Sequence, residues 1–214
     1  MYMEFNHNFC ESRMNNYNPP EIWNSYSSLA ISIVPLLFRT PNSDLLLNIK
    51  YLLIFNGISS FIYHYYLTWL GKQLDELSMI LTNYFGLSFL LNVFFTNNIY
   101  SKYQVNLTKQ IHIYFTILFM TINTFPSLDF LFPNLFFLYL IPTIYLIYKI
   151  SFLYNISIVK INHSLPISLV GGISWLISEN FCNDITKYGH VIWHLLFPLG
   201  FYKIVEFFDK KFST

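Results

Sequence analysis

The chain has 214 residues, of which 54% are hydrophobic and only 11% are charged, and its formal net charge is +1. Soluble domains usually carry about a quarter charged residues, so a soluble protein of this length could not cover so much apolar surface. The near-neutral charge, with no basic stripe, also excludes an electrostatic nucleic-acid binder. The composition therefore predicts an integral membrane protein with the lipid bilayer as its partner.

Seven apolar spans follow one another along the chain, and about 20 residues are needed to cross a bilayer core as a helix. They cover 22–38, 45–67, 74–95, 110–126, 130–149, 164–179 and 189–208. The first and sixth are the weakest, and six crossings are the alternative if 164–179 lies in the membrane interface. The pattern predicts an all-α bundle of seven transmembrane helices (22–208), preceded by an N-terminal segment (1–21) and followed by a short tail (209–214).

The cationic residues divide unevenly between the two ends of the predicted bundle. With seven crossings, nine of the twelve Lys and Arg residues fall on the side of the C-terminus and three on the side of the N-terminus. Lys and Arg accumulate on the cytoplasmic face of a membrane. We therefore expect a luminal or exoplasmic N-terminus and a cytosolic C-terminus. The membrane that we expect to hold the protein is that of the endoplasmic reticulum or Golgi. The acidic residues show the opposite bias, which suggests cation binding at the luminal face.

His190 and His194 stand four positions apart at the start of the last span. Residues i and i+4 share one helix face, so both imidazoles can reach one metal ion. Di-haem membrane cytochromes and membrane desaturases also use closely spaced histidines, and two hydrogen-bonded histidines in a helical core are the structural alternative. Ionisable groups at membrane depth are nevertheless functional by default.

Ser60 and His64 also stand four positions apart, near the end of the second span, and Asp75 begins the third. Helix counting puts the end of span two and the starts of spans three and seven at the same membrane face. We therefore expect these three residues to converge with His190 and His194 in the luminal leaflet.

The converging residues predict a particular chemistry. Three neutral histidines with an open fourth position are typical of a catalytic zinc site. Asp75 would then be the general base and later the general acid, and Ser60 would hydrogen-bond the oxyanion of a tetrahedral intermediate. Glu76 would face elsewhere on the helix, so we expect it to be solvated or interfacial.

Cys10 and Cys182 both fall on the predicted luminal side, where oxidation is permitted. A disulfide between them would tie the N-terminal segment over the mouth of the bundle, and two unrelated thiols are the alternative. Side chains with oxygen ligands that suit calcium surround Cys10 in the sequence. They are Glu11, Asn15, Asn16 and Glu21.

Motifs in the first part of the chain resemble those of the alkaline ceramidases. These are seven-helix zinc amidases within a superfamily that also includes the adiponectin receptors. Residues 9–11 (FCE) and 21–25 (EIWNS) are similar to the family's WCE…EFWNT opening. Ser60 and His64, together with residues 73–79 (QLDELSM), are similar to its GSxxFH…QxLDELPM segment.

The remaining motifs lie near the C-terminus. Residues 175–178 (WLIS) and 181–182 (FC) are similar to the family's WxxD…FC, although its Asp is Ser178 here, with Glu179 adjacent. Residues 190–194 (HVIWH) are similar to its HAxWH element. Each motif is short, but their order and spacing agree along nearly the whole chain.

The resemblance implies a role for each of these residues. The zinc ligands would be His64, His190 and His194. Asp75 would act on the water, Ser60 would support the oxyanion, and Cys10 and Cys182 would form a disulfide. The reaction would be hydrolysis of the amide of ceramide, a sphingolipid, to a sphingoid base and a fatty acid, with no obligate protein partner.

The chain departs most from the family at its calcium site. The family's Asp two residues before the Cys is Asn8 here, and its Asn three residues after the Cys is Arg13, unless a small insertion brings Asn16 into that role. The candidate calcium ligands are Glu11, Glu21, Asn8, Phe9 and Asn16. Because a carboxylate is lost and a cationic side chain is gained, the resemblance predicts weak calcium binding.

Two other functions compete with this hypothesis. A receptor-like member of the superfamily, or a hydrolase of a different lipid, would keep the same helices. A haem or di-iron oxidoreductase would need more histidines at membrane depth than the chain supplies.

Overall fold

The computed structural model describes residues 9–14, 18–96, 100–156 and 158–213, without the side chains of Ile158 and Lys160. Eight α-helices make up most of this part of the chain. They are α1 (Cys10–Met14), α2 (Ile22–Leu36), α3 (Asp44–Tyr66), α4 (Trp69–Phe95), α5 (Lys102–Asn123), α6 (Phe132–Leu153), α7 (Ile158–Asn180) and α8 (Gly189–Phe212). Short 3-10 helices, Pro126–Leu131 and Thr186–Tyr188, precede α6 and α8. Each of the seven predicted spans is therefore helical.

Four helices in the described part of the chain are long and apolar enough to cross a membrane. They are Asp44–Tyr66, Trp69–Phe95, Pro126–Leu153 and Thr186–Phe212. α2 is short, with 15 residues, and α5 and α7 carry more polar side chains. The structure thus supports an all-helical membrane protein, and seven crossings stay a prediction.

Capping residues extend two helices beyond the predicted spans. α4 begins five residues before the predicted start at 74, because the Thr68 side chain accepts a hydrogen bond from the backbone N–H of Gly71. α5 begins at Lys102 and not at 110, because Ser101 and Gln104 form a reciprocal capping box. The polar residues before 110 are therefore the first turns of a helix and not a loop.

The C-terminal end of α8 contacts the residues that precede α3. α8 continues to Phe212, so most of the predicted tail (209–214) is helical. The buried Asp209 carboxylate accepts hydrogen bonds from the backbone N–H groups of Asn42 and Ser43, just before α3. The tail thereby helps to fix the start of α3.

α3 packs between α2 and α4, and α8 packs against α7 and α2. The helices α2 and α3 approach closely at Gly57, beside which the Ser32 hydroxyl donates a hydrogen bond to the carbonyl of Ile54 at 2.6 Å. This arrangement brings the end of α3 and the starts of α4 and α8 to one end of the bundle, where α1 also lies.

Candidate metal centre

The structure brings the three predicted histidines together. His64 lies near the end of α3, and His190 and His194 lie in the first two turns of α8. All three are buried, and one ring nitrogen from each lies within 4.8 Å of the others. Tetrahedral zinc–nitrogen bonds of about 2.0–2.1 Å bring ligand nitrogens to about 3.3–3.4 Å from one another, which lies within this limit. The cluster therefore has the size of a three-histidine metal site.

The second ring nitrogen of each histidine faces a polar group on another helix or segment. Nδ1 of His64 lies 2.6 Å from Oε2 of Glu21, and Nδ1 of His194 lies 2.9 Å from Oγ of Ser27. Nδ1 of His190 lies 3.9 Å from Oε1 of Glu179. Partners of this kind set the tautomer and orientation of metal-binding histidines.

This donor set fits a divalent ion such as zinc. Partners on Nδ1 leave Nε2 of His64 and His194 available for coordination, and three imidazoles leave room for an exogenous ligand. Sequence reasoning missed Ser27 entirely and assigned Glu21 to calcium. Neither residue has a sequence spacing that would connect it with a histidine.

The predicted catalytic residues lie beside the histidines. Asp75 is buried in the second turn of α4, and its Oδ1 accepts a 2.7 Å hydrogen bond from the side-chain amide of Asn56. The Ser60 hydroxyl lies near the Asp75 carboxylate. The Asn56 amide further contacts Oγ of Ser78 at 2.7 Å. Asn56, one α3 turn before Ser60, is thus a site residue that the motifs did not reveal.

A cavity of about 520 Å³ joins the histidines to the interior of the bundle. Its polar wall contains the three histidines together with Ser60, Asp75 and Glu76. The rest of the wall is largely aliphatic and aromatic. It includes Leu53, Met79, Phe132, Phe136, Trp175 and Phe201. Such a cavity suits a ligand with one polar end and a long apolar part.

The predicted disulfide is confirmed, with Cα atoms of Cys10 and Cys182 5.3 Å apart. It fastens α1 to the segment between α7 and α8. Phe9, next to Cys10, packs its ring 5.1 Å from the His64 ring and 4.6 Å from the His190 ring. Phe9, held by the neighbouring disulfide, therefore covers two of the three histidines.

Hydrogen bonds to Glu179 fasten α1 at a second point. Its carboxylate accepts hydrogen bonds from the backbone N–H of Cys10 at 3.2 Å and from the Arg13 guanidinium at 3.1 Å. Arg13 also donates to the backbone carbonyl of Glu179. Glu179 thus links α1 to α7, and its carboxylate also faces His190. Its neighbour Ser178 stands where the family has an Asp.

The candidate calcium ligands fit a cation only in part. The two oxygens of Glu11 accept backbone N–H groups of Trp23 and Asn24, each at 2.8 Å, and burial raises the pKa of this carboxyl. Glu21 accepts from Ser12 at 2.7 Å as well as facing His64. The Phe9 carbonyl accepts from the hydroxyl of Ser12. Asn8 and Asn16 lie outside the described residues.

The expectation for Glu76 was wrong. Its side chain is buried and forms an ion pair with Lys72, one turn earlier in α4, and Lys72 also pairs with Asp129 in the 3-10 helix before α6. The residue one position after Asp75 therefore lines the cavity and is not solvated.

In a comparison with protein families, the chain matches a family model described as Ceramidase over residues 3–210. The matched range contains the three histidines, Asp75, Ser60 and both cysteines. No curated protein matches the chain significantly.

Proposed function

The chain belongs to the ceramidase family, and from this premise we propose that it is a membrane-embedded, zinc-dependent amidohydrolase that cleaves ceramide to a sphingoid base and a fatty acid. One observation carries the proposal: three buried histidines and a buried Asp75 share one cavity, and most of its other lining residues are aliphatic or aromatic.

The histidines His64, His190 and His194 would hold the zinc ion. When bound, zinc acts as a Lewis acid toward an amide carbonyl and lowers the pKa of water to about 7. Glu21 and Ser27 keep the rings of His64 and His194 in the orientation that this requires.

Asp75 moves the protons of the reaction. Its carboxylate takes a proton from the attacking water and later donates one to the amide nitrogen, whose bond to the acyl carbon breaks. Asn56 holds the carboxylate in place through its side-chain amide. Burial around Asp75 excludes bulk water, which strengthens these charge-assisted hydrogen bonds.

Ser60 assists the same reaction at the substrate carbonyl. In the structure its hydroxyl lies near the Asp75 carboxylate. Once Asp75 has taken a proton, that carboxyl is a weaker acceptor, and the hydroxyl is free to donate to the negative oxygen that develops on the substrate carbonyl.

The purified protein should release fatty acid from ceramide presented in detergent or vesicles. His194→Ala should lose both zinc and activity, whereas Asp75→Asn should keep zinc and lose at least 100-fold in kcat. Glu206→Gln, which changes a charge near the other end of α8, serves as control. Intact, zinc-loaded protein that hydrolyses no ceramide would refute the proposed substrate, and full activity of the metal-free protein would refute the proposed zinc dependence.

We further propose that the site opens to the lumen, with seven crossings and a cytosolic C-terminus. The disulfide at the site's end of the bundle supports this orientation, because the lumen is oxidising. In microsomes, a tag after residue 214 should be digested by added protease, and a tag before residue 1 should be protected. The reverse pattern would overturn the orientation.

A further inference from the structure

A largely buried cluster of three charged residues adjoins Asp75. The Lys72 ammonium pairs with the carboxylates of both Glu76 and Asp129, and it also lies over the ring of Trp69, 5.1 Å from its centroid. Lys72 is 1% exposed, and the two carboxylate side chains are 11% and 14% exposed. With all three ionised, the cluster carries one more negative than positive charge. A buried excess of charge is unfavourable unless another group compensates it.

The cluster reaches the cavity through Glu76. Glu76 and Tyr63 line the same cavity as Asp75. Tyr63 is 2% exposed, and its hydroxyl has no hydrogen-bond partner among the residues that the structure describes. A buried hydroxyl without a partner costs about 1–3 kcal/mol. A polar ligand in the cavity would remove this cost.

We propose that Glu76 and Tyr63 form a subsite for the amino-alcohol part of the substrate and product. The Glu76 carboxylate receives the ammonium group, and the Tyr63 hydroxyl hydrogen-bonds a neighbouring hydroxyl group of the same ligand. The inference rests on the proposed amide hydrolysis, since that reaction brings an amine to this cavity.

The charge balance of the reaction gives the subsite its selectivity. Hydrolysis breaks the carbon–nitrogen bond of a neutral amide and forms a bond from the water oxygen to the acyl carbon. At neutral pH the products are a carboxylate and a primary ammonium ion, so the amine half gains a positive charge that the substrate lacked. Asp75 passes one water proton to that nitrogen, which leaves as a neutral amine. The amine then takes the second water proton, left on the acyl product as the acid proton, so that the ammonium and the carboxylate form together. The excess negative charge around Glu76 attracts this ammonium.

Lys72 and Asp129 position the Glu76 carboxylate, which receives the ammonium group. Asp129 shares the ammonium of Lys72, so Glu76 is held at the cavity wall without having its charge cancelled by a cation of its own. The same contacts join α4 to the segment before α6, so a purely structural role is the alternative. The two roles differ in whether the cavity discriminates between an amine and a neutral ligand.

Ligand binding without turnover tests the subsite. A long-chain amino alcohol and a long-chain diol of equal length are titrated into the zinc-loaded protein, with tryptophan fluorescence as the readout, since Trp175 and Trp193 line the cavity. The wild-type protein should bind the amine at least 10-fold more tightly. Glu76→Gln should lose this preference while keeping its affinity for the diol and its zinc content, and Glu76→Asp should restore part of it. Glu206→Gln is the charge control.

An unchanged preference of Glu76→Gln for the amino alcohol over the diol would overturn the proposed subsite. An equal loss of affinity for the two ligands would overturn it as well. If Glu76→Gln does not fold, Tyr63→Phe replaces it, and this variant should bind the amino alcohol at least 3-fold less tightly with no change for a simple long-chain amine. Equal binding by Tyr63→Phe and the wild type would then overturn the subsite. A protein that hydrolyses no ceramide but shows the Glu76-dependent preference would refute the proposed function and leave the subsite standing.

Discussion

The Glu21 carboxylate lies 2.6 Å from Nδ1 of His64, although 43 positions separate the two residues, and both side chains are almost completely buried. This contact joins the residue before α2 to the end of α3. A carboxylate on Nδ1 fixes the imidazole's orientation and makes its other nitrogen a better ligand. Glu21 therefore acts on the histidine cluster, whether or not it also binds calcium.

Replacing Glu21 should consequently weaken zinc binding. We expect Glu21→Gln to lower zinc affinity about 10–100-fold, the usual effect of removing an outer partner of a metal-binding histidine. Competition with a fluorescent chelator measures the affinity. Glu11→Gln is the matched control, because Glu11 is equally buried but accepts from backbone N–H groups of α2. It should reduce thermal stability and leave zinc affinity unchanged. Equal zinc affinities of Glu21→Gln and the wild type would contradict this role of Glu21.

The convergence of the histidines could be predicted from the sequence, whereas their partners could not. The spacing of His190 and His194 gives one helix face, and helix counting brings His64 to the same end. Partners such as Ser27 and Asn56 depend instead on how α2 and α3 rotate against their neighbours, which no short motif encodes. The sequence also misplaced Glu76, because a position next to Asp75 on a helix can still reach the cavity when a buried lysine that it shares with Asp129 pairs with its carboxylate.

The disulfide between Cys10 and Cys182 should contribute strongly to stability. It joins residues 172 positions apart, so removing it releases a long segment of the unfolded chain from constraint. We expect a Cys10→Ser, Cys182→Ser double variant to lose about 2–5 kcal/mol in the free energy of unfolding. Thermal unfolding in detergent, with and without a reducing agent, measures this. The reductant should lower the midpoint of the wild type and leave that of the double variant unchanged. A wild type insensitive to the reductant would contradict the prediction.

Arg13 should make the protein nearly indifferent to calcium. Its guanidinium binds Glu179 where the family pattern has an Asn ligand, and protein donors already engage the oxygens of Glu11 and Glu21. We expect millimolar calcium to raise the unfolding temperature by no more than about 1–2 °C, which corresponds to a few tenths of a kcal/mol. Arg13→Asn removes the cation and adds an oxygen ligand, so this variant should respond more strongly. Arg39→Asn, near the other end of the bundle, is the control. A large calcium response in the wild type would show that the cation site is intact.

Close packing of α2 on α3 should be essential for the site, because α2 carries the Ser27 that contacts His194. A Cβ added at Gly57 would lie 2.5 Å from the backbone nitrogen of Ser32 and 2.8 Å from the carbonyl oxygen of Ser28, and these backbone atoms cannot rotate away. We expect Gly57→Ala to cost about 1–3 kcal/mol in the free energy of unfolding, because the two helices must separate.

The matched control for Gly57→Ala is Gly172→Ala. Its Cβ would meet only the Trp193 ring, at 3.5 Å, an ordinary contact. Because alanine favours helix over glycine by about 1 kcal/mol, this variant should be as stable as the wild type or more so. Thermal unfolding in the same detergent compares the two, and zinc competition shows whether the displacement of α2 reaches His194. Equal unfolding temperatures for the two variants would mean that α2 can shift without cost, and Ser27 could then not hold the His194 ring firmly.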